Sequence, residues 1–153
     1  MKIELVVDGQ RGQIDIDPGE SLMDVLRRTG HTSVKNGCDR GDCGSCAVLL
    51  DGRAVNACLV FAAKAAGRAI GTIEGLATRA LHPLQSASLD AGAVQCGFCT
   101  PGILLTALDL LSRTPHPTED EVRDALAGNF CRCTGYVKPV EAILAAASQM
   151  GAA

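Results

Sequence analysis

The chain has 153 residues, of which 47% are hydrophobic and only 3% aromatic, and its formal net charge is −3. The acidic balance argues against nucleic-acid binding, which normally shows a basic stripe, and no apolar run reaches the roughly 18 residues of a membrane span. The first 17 residues have a strand pattern with acidic side chains and do not resemble a signal peptide, so we expect a cytoplasmic protein.

The first half of the chain has the pattern of a small sheet with one helix. Alternating apolar residues and turn signals such as Asp8-Gly9 indicate strands. The predicted strands cover residues 1–7, 13–17, 47–50, 53–60 and 70–73. Ser21, followed three residues later by Asp24, predicts a capping box that opens a short helix, and residues 37–46 form a glycine-rich loop.

In the second half, strand signals vanish after about residue 75 and a helical period takes over. Thr118 with Glu121 predicts a second capping box. The predicted helices cover residues 83–89, 102–112, 118–127 and 140–150. The sequence therefore predicts an α+β protein, with a sheet-containing domain over residues 1–76 and an all-helical domain over residues 77–153.

Eight cysteines dominate the composition. In a chain expected in the cytoplasm, grouped cysteines favour metal binding over disulfides. The first four, with the spacing C-x4-C-x2-C-x11-C, form what we call the N-terminal quartet: Cys38, Cys43, Cys46 and Cys58. This is the plant-type ferredoxin pattern for a [2Fe–2S] cluster, whereas structural zinc sites favour two separated C-x2–4-C pairs. We therefore predict an iron–sulfur cluster here.

Glycines interrupt this first ligand loop at positions 37, 41 and 44. Glycine permits the unusual φ values that such a loop needs. It also leaves backbone N–H groups free to point at the cluster sulfurs, whose negative charge they stabilise. We expect the loop to be rigid and sensitive to substitution.

The other four cysteines, which we call the C-terminal quartet, are two pairs 32 residues apart: Cys96, Cys99, Cys131 and Cys133. Their spacing fits a four-thiolate zinc site as well as a [2Fe–2S] cluster. Each pair lies at a predicted helix boundary, and helix N-termini favour an anionic cluster. All the aromatic residues lie within three residues of a cysteine and would provide apolar cover that tunes a redox potential: Phe61, Phe98, Phe130 and Tyr136.

Three segments around the cysteines match a known family in order: GCDRGDCGSC over 37–46, QCGFCTPG over 95–102 and GNFCRCTGY over 128–136. They resemble the small iron–sulfur subunit of the molybdenum hydroxylases, the xanthine dehydrogenase and carbon monoxide dehydrogenase family. The resemblance covers essentially residues 2–148. It favours iron–sulfur over zinc for the C-terminal quartet, by analogy with the family's eight ligands.

The resemblance implies a plant-ferredoxin-like β-grasp domain that holds one [2Fe–2S] cluster, followed by a four-helix bundle that holds the other. It implies that the chain is a subunit of a molybdenum-containing oxidoreductase that does electron transfer and no substrate chemistry. The implied partners are a large molybdopterin-binding catalytic subunit and a medium FAD-binding subunit. Gln95 and Cys133 would approach the pterin. Electrons would pass from molybdopterin to the C-terminal quartet, then to the N-terminal quartet and to FAD.

Two positions depart from the family pattern, because Phe130 stands where Leu is usual and Ala47 where Thr is common; neither removes a ligand. The segments over 100–102 and 134–136 favour a flavin-containing complex over relatives that deliver electrons to a cytochrome. Arg132 has two open interpretations, an interface charge or a cation that stabilises a reduced cluster. Two alternatives to the whole function are a free-standing ferredoxin-like carrier and a zinc-stabilised interaction module.

Overall fold

A computed structural model of the chain describes residues 1–77 and 80–151. The N-terminal part contains β1 (Lys2–Val7), β2 (Gln10–Asp15), α1 (Leu22–Arg28), β3 (Ala47–Leu50), β4 (Arg53–Asn56), β5 (Ala69–Gly71) and the one-turn α2 (Ile73–Leu76). The helical part contains α3 (Pro83–Asp90), α4 (Thr100–Arg113), α5 (Glu119–Leu126) and α6 (Val137–Gly151). The predicted helical domain includes residues 78, 79, 152 and 153, which lie outside the described ranges.

The five strands form one mixed sheet in the order β2-β1-β5-β3-β4. β1 pairs parallel to β5, and the other neighbours are antiparallel. The alternation predicted for β1 is confirmed, because Ile3, Leu5 and Val7 are buried in a core shared with α1. A helix packed on such a sheet is the β-grasp arrangement that was expected.

Three strand predictions extend too far at their C-terminal ends. The strand predicted over 13–17 is wrong beyond Asp15, and β2 begins earlier than predicted, at Gln10. The strand predicted over 53–60 is wrong beyond residue 56, where a 3₁₀ turn (Ala57–Leu59) replaces it. The chain leaves the ladder there because Ala57 N–H donates to the carbonyl of Cys46, at 3.3 Å, and this draws Cys58 towards the first ligand loop. β5 ends at Gly71 because Thr72 N–H donates instead to the Asp8 carboxylate, at 2.7 Å.

The two predicted capping boxes have different outcomes. Thr118 and Glu121 form the full box at α5, with each side chain accepting the other's backbone N–H. At α1, Ser21 Oγ accepts from Asp24 N–H at 3.1 Å. The Ser21 hydroxyl donates to the Asp24 carboxylate at 2.7 Å, so this carboxylate does not accept the Ser21 N–H and the reciprocal bond of the box is not formed. His82 makes a further box at α3 that the sequence did not reveal.

The long helices begin earlier than predicted. α4 starts at Thr100 and α6 at Val137, each with a proline in its first turn, where the missing N–H is not needed. The helices pack around a second hydrophobic core, which shares no residue with the first. Within the described ranges, no helix is both long and apolar enough to cross a membrane.

Candidate iron–sulfur centres

The N-terminal quartet is assembled by the hairpin of β3 and β4. Ala47 at the start of β3 lies opposite Asn56 at the end of β4, so Cys46 and Cys58 emerge at the same end of the hairpin. The Cys46 and Cys58 thiols contact each other, and so do those of Cys38 and Cys43 in the loop. All eight cysteines of the chain are free thiols. The quartet is thus two touching pairs, one within the loop and one across the hairpin.

The electrostatics of this quartet suit an anionic group. Backbone N–H groups of Arg40, Cys43 and Asp42 point at the Cys38 sulfur and, with the Cys43 thiol, lower the pKa of Cys38 to about 7. Burial raises the pKa of Cys46 to about 12. A buried thiol of this kind becomes a thiolate at neutral pH only when a metal replaces its proton. Converging N–H donors beside buried thiols are what a thiolate-bound cluster requires.

The glycines of the first loop have two different roles. Gly41 and Gly44 have φ values of 86° and 67°, in the left-handed region, as predicted. Gly37 does not have a positive φ; an added Cβ there would lie 2.9 Å from Cys43 Sγ, so the requirement is for space. At Gly44 an added Cβ would also overlap the carbonyl oxygen of Gly128. Gly44 therefore permits close approach of the second ligand region.

The C-terminal quartet joins two distant segments. Cys99 is the N-cap residue of α4, and Cys131 and Cys133 lie between α5 and α6. The Sγ atoms of Cys96 and Cys133 are 3.6 Å apart, too far for the roughly 2.04 Å of a disulfide. Two thiolates on one tetrahedral metal, at about 2.3 Å each, would be about 3.8 Å apart. Cys99 and Cys131 form the other touching pair.

Thr134 supplies the donors of this second site. Its hydroxyl and its backbone N–H donate to Cys131 Sγ at 3.0 and 3.4 Å. Burial raises the pKa of Cys131, but the Thr134 bonds outweigh it and bring the pKa to about 7. Burial raises the pKa of Cys99 to about 12, and the neighbouring Cys96 thiol raises that of Cys133. Each quartet thus combines one thiol of lowered pKa, Cys38 or Cys131, with a buried thiol of raised pKa, Cys46 or Cys99.

Tyr136 has a role that sequence reasoning missed. Its hydroxyl accepts from Cys131 N–H and donates to the carbonyl of Asn129, both at 2.9 Å. Its φ of 68° places it in the left-handed region. We expected apolar cover from this side chain, whereas its hydroxyl fixes the backbone around a ligand. The polar atom of the only tyrosine, three residues after a cysteine, was the available signal.

The apolar cover expected from the phenylalanines is incomplete. The exposed fractions of Phe61, Phe98 and Phe130 are 59%, 45% and 57%. Phe98 does bridge the two ligand regions, because its ring lies 3.4 Å from the position of a Cβ at Gly37. The chain by itself therefore leaves apolar surface beside both quartets.

The two ligand regions touch along a contact that we call the ligand seam, formed by Cys43 and Gly44 on one side and Asn129 and Phe130 on the other. Phe130 N–H donates to the carbonyl of Cys43 at 2.9 Å, and the Asn129 amide donates to that of Gly44 at 3.3 Å. Asn129 is only 4% exposed. Gly102, in α4, comes so close to the Gly44 carbonyl that it has no room for a Cβ. Through the seam, the backbone of Cys43 in the N-terminal quartet is bonded to Phe130, which directly precedes Cys131 of the C-terminal quartet.

One further group of potential ligands is explained by hydrogen bonds. Among the described residues, Asp8, His31 and Glu74 bring ligand atoms within 4.8 Å of one another. The Asp8 carboxylate accepts from Thr72 N–H at 2.7 Å, and that of Glu74 accepts from Ser33 N–H at 3.0 Å. These bonds tie α2 to the sheet and account for the group.

Comparison with known proteins agrees with this geometry. Residues 5–70 match the family described as "2Fe-2S iron-sulfur cluster binding domain", and residues 72–144 match "[2Fe-2S] binding domain". The nicotine 6-hydroxylase small subunit of Paenarthrobacter nicotinovorans is 48% identical over 152 residues, which are 99% of this chain and 92% of that one. The xanthine dehydrogenase iron-sulfur-binding subunit of Escherichia coli O157:H7 is 45% identical, over 93% of this chain and 91% of that one.

A solved structure agrees along nearly the whole chain. The crystal structure of quinoline 2-oxidoreductase from Pseudomonas putida 86 superimposes with a TM-score of 0.95 at 41% identity, covering 99% of this chain and 96% of the matched chain. The chain belongs to the family of small iron–sulfur subunits of the molybdenum hydroxylases. As a member of this family it has two [2Fe–2S] domains and an electron-transfer function.

In this small subunit, the two residues expected near a pterin lie together at an exposed edge. Gln95 Nε2 donates to the carbonyl of Cys133 at 3.2 Å. Cys96 and Cys133 are the two exposed cysteines of the chain. Arg132, between two ligands, forms no ion pair among the described residues, which leaves both of its interpretations open.

Proposed function

We propose that the chain carries electrons between two partner subunits, from the molybdopterin of a larger catalytic subunit to the FAD of a medium subunit. Each [2Fe–2S] cluster, when bound, supplies a site that takes up and releases one electron. Electrons enter at the C-terminal quartet and leave at the N-terminal quartet. Substrate chemistry belongs to the catalytic subunit.

The eight cysteines are the proposed ligands. The N-terminal quartet would hold one cluster and the C-terminal quartet the other. Support comes from the contacts between thiols within each quartet, and the Cys96–Cys133 separation of 3.6 Å suits two thiolates on one metal. A boundary between residues 76 and 77 is proposed for the two domains. Two hydrophobic cores without a shared residue support the division into two domains, with Ile73 of α2 packing across this boundary onto the helical core.

The ligand seam is the observation that carries the proposal. Electron tunnelling weakens steeply with gaps in the intervening medium, so a hydrogen-bonded connection favours transfer. The bond from Phe130 N–H to the Cys43 carbonyl, at 2.9 Å, connects a ligand of one quartet with the neighbour of Cys131 in the other. A free-standing ferredoxin-like carrier would explain the N-terminal quartet but gives the helical half no role.

The exposed ends of the molecule support the direction. Gln95 and Cys133 form an exposed polar edge, suited to a cofactor held by the catalytic subunit. Leu59 and Phe61, one and three residues after Cys58 of the N-terminal quartet, are 63% and 59% exposed. Neighbouring exposed apolar side chains mark protein contacts, and we assign this surface to the flavin subunit. Eight free thiols further support a reducing compartment, the cytoplasm.

Selective removal of each quartet in the assembled complex tests the direction. In Cys46→Ser, substrate should still reduce the C-terminal cluster, while FAD stays oxidised. In Cys99→Ser, substrate should reduce neither the N-terminal cluster nor FAD. Freeze-quenched electron paramagnetic resonance (EPR) and flavin absorbance follow the three sites separately. Reduction of the N-terminal cluster by substrate in Cys99→Ser would overturn the proposed order.

A further inference from the structure

A buried carboxylate joins the two parts of the chain away from the ligand seam. Asp109, in α4, is only 7% exposed. Its carboxylate lies 3.1 Å from Arg53 Nε, in β4, and 3.2 Å from Arg113 Nε, one turn along the same helix. A buried carboxylate requires cationic partners. Of the ion pairs among residues 1–77 and 80–151, the pair with Arg53 is the one that crosses between the N-terminal and helical parts.

Both partners lie on rigid elements that end at cysteines. β4 begins at Arg53 and ends at Asn56, two residues before Cys58. α4 has Cys99 as its N-cap, ten residues before Asp109, which is about 15 Å along a helix. The ion pair therefore acts at the far ends of two elements whose near ends hold the quartets.

The interface beside this pair is only partly filled. α4 packs against β3 and β4, and Leu105 of α4 is fully buried. A cavity of about 270 Å³ remains between the β3–β4 hairpin and the helical part. Small or polar side chains line it, including Ala54, Asn56, Thr106 and Asn129. Close packing is therefore incomplete on the side where Asp109 meets Arg53.

We propose that Asp109 is a positioning residue for electron transfer between the quartets, acting through Arg53. This inference rests on the proposed function. The ligand seam and the packing of α4 on β3 and β4 hold the two parts together, and the Asp109–Arg53 pair adds the charged contact between them. Without this pair, α4 shifts against the hairpin beside the cavity, and the separation and orientation of the quartets are no longer unique.

Two substitutions of different severity test the proposal in the full chain with its clusters. Asp109→Asn keeps the shape and leaves two facing guanidinium groups without their carboxylate. We expect electron transfer between the clusters to slow by about tenfold, since small displacements by remote changes cost up to about 100-fold. Arg53→Gln should slow it by about threefold, because the Arg53 side chain is 61% exposed and its charge is screened.

Two control variants distinguish a change in the relative position of the quartets from a general loss of protein stability. Arg113→Gln removes the partner within α4 and leaves the pair with Arg53. Arg68→Gln removes an exposed pair with Asp51, at 2.6 Å, that lies wholly in the N-terminal part. Both should leave the transfer rate within about twofold of the original, because neither residue connects the two parts.

The decisive readout is the magnetic coupling between the two reduced clusters, measured by EPR. We expect the splitting to broaden or shrink in Asp109→Asn and Arg53→Gln, and to stay unchanged in both controls. Faster deuterium exchange at the amides of β4 and α4 in the same two variants would support a looser contact between the two parts, independently of the clusters. Arg53 is exposed, so its replacement leaves the fold intact. Unchanged coupling and rate in Arg53→Gln would overturn the proposal, as would equal effects in Arg113→Gln. Loss of the clusters from the unsubstituted chain would instead defeat the proposed function and this inference with it.

Discussion

The two quartets differ in how locally they are built. Three of the four N-terminal ligands lie within one nine-residue stretch, 38–46, and the hairpin returns the fourth. The C-terminal quartet draws on two pairs 32 residues apart, held by the ends of α4, α5 and α6. When the cysteines of a site are close in sequence, their spacing indicates which metal or cluster they bind. A site assembled from distant helix ends depends on groups outside the ligands, such as Thr134, Tyr136 and Asn129.

The largest expected effect comes from a substitution in the ligand seam, because the seam contacts both quartets. Gly44→Ala introduces a Cβ that overlaps the Gly128 carbonyl at a backbone φ of 67°. Overpacking and left-handed strain together should lower the free energy of unfolding by about 3 kcal/mol. Both cluster signals should change, because the seam touches both quartets.

Gly92→Ala is the matched control for that change. Its φ of 66° is nearly the same, but nothing lies within 4 Å of an added Cβ. Backbone strain alone should cost about 1 kcal/mol, with both cluster signals unchanged. Chemical denaturation of the two variants measures the difference; equal costs would remove the steric argument for the seam.

Tyr136→Phe tests the difference between the two quartets, because we expect it to affect the C-terminal quartet alone. It deletes the hydroxyl that connects Cys131 N–H and the Asn129 carbonyl and leaves both partly buried groups without that partner. We expect a loss of about 1–2 kcal/mol in the free energy of unfolding. The EPR signal of the C-terminal cluster should broaden and that of the other cluster stay the same. An altered N-terminal signal alone would contradict this assignment.

Thr134→Val should have a smaller effect, which is a change in the redox potential of the C-terminal cluster. It removes the hydroxyl that donates to Cys131 Sγ at 3.0 Å, while the backbone donor at 3.4 Å remains. Donors to a ligand sulfur stabilise the reduced, more negative cluster, so the C-terminal potential should fall by tens of millivolts, in order of magnitude. A redox titration followed by EPR checks this, with the N-terminal potential as internal reference; a rise in the C-terminal potential would contradict it.

The smallest effect concerns thiol labelling in the cluster-free chain. The pKa values of Cys38 and Cys131 are lowered to about 7, so their thiolates form as pH rises through 7 and alkylation should accelerate there. Cys46 and Cys99, with pKa values raised to about 12, should stay unreactive to pH 9. Peptide mass mapping after timed alkylation measures each site, and fast labelling of Cys46 at pH 7 would contradict the account.

Much of the fold could be predicted because its signals are local. The alternation in β1, the turn at Asp8-Gly9 and the box of Thr118 with Glu121 depend on neighbours in sequence, and the structure confirms them. The end of β4 could not be predicted in this way. The strand stops because Ala57 bonds to Cys46, eleven residues earlier, and such a contact has no local pattern.

The site shows the same division. The eight cysteines and their grouping were visible in the sequence, and their assignment as ligands stays a prediction. Asn129 lies in the matched segment 128–136, but its burial against Gly44 joins residues 85 apart and has no local pattern. Asp109 and Arg53 gave no signal, because a charged residue on a helix usually faces solvent. Polar contacts between residues that are far apart in the chain could not be predicted from the sequence.

Quantitative EPR on the full chain, combined with metal analysis, tests the central claim most directly. After complete reduction we predict two distinct [2Fe–2S] signals that together integrate to about two spins per chain, with about four iron atoms and four sulfides. Cys46→Ser should remove one signal and Cys99→Ser the other. A colourless chain that contains zinc, or a single signal lost equally in both variants, would contradict the account of two separate, connected quartets.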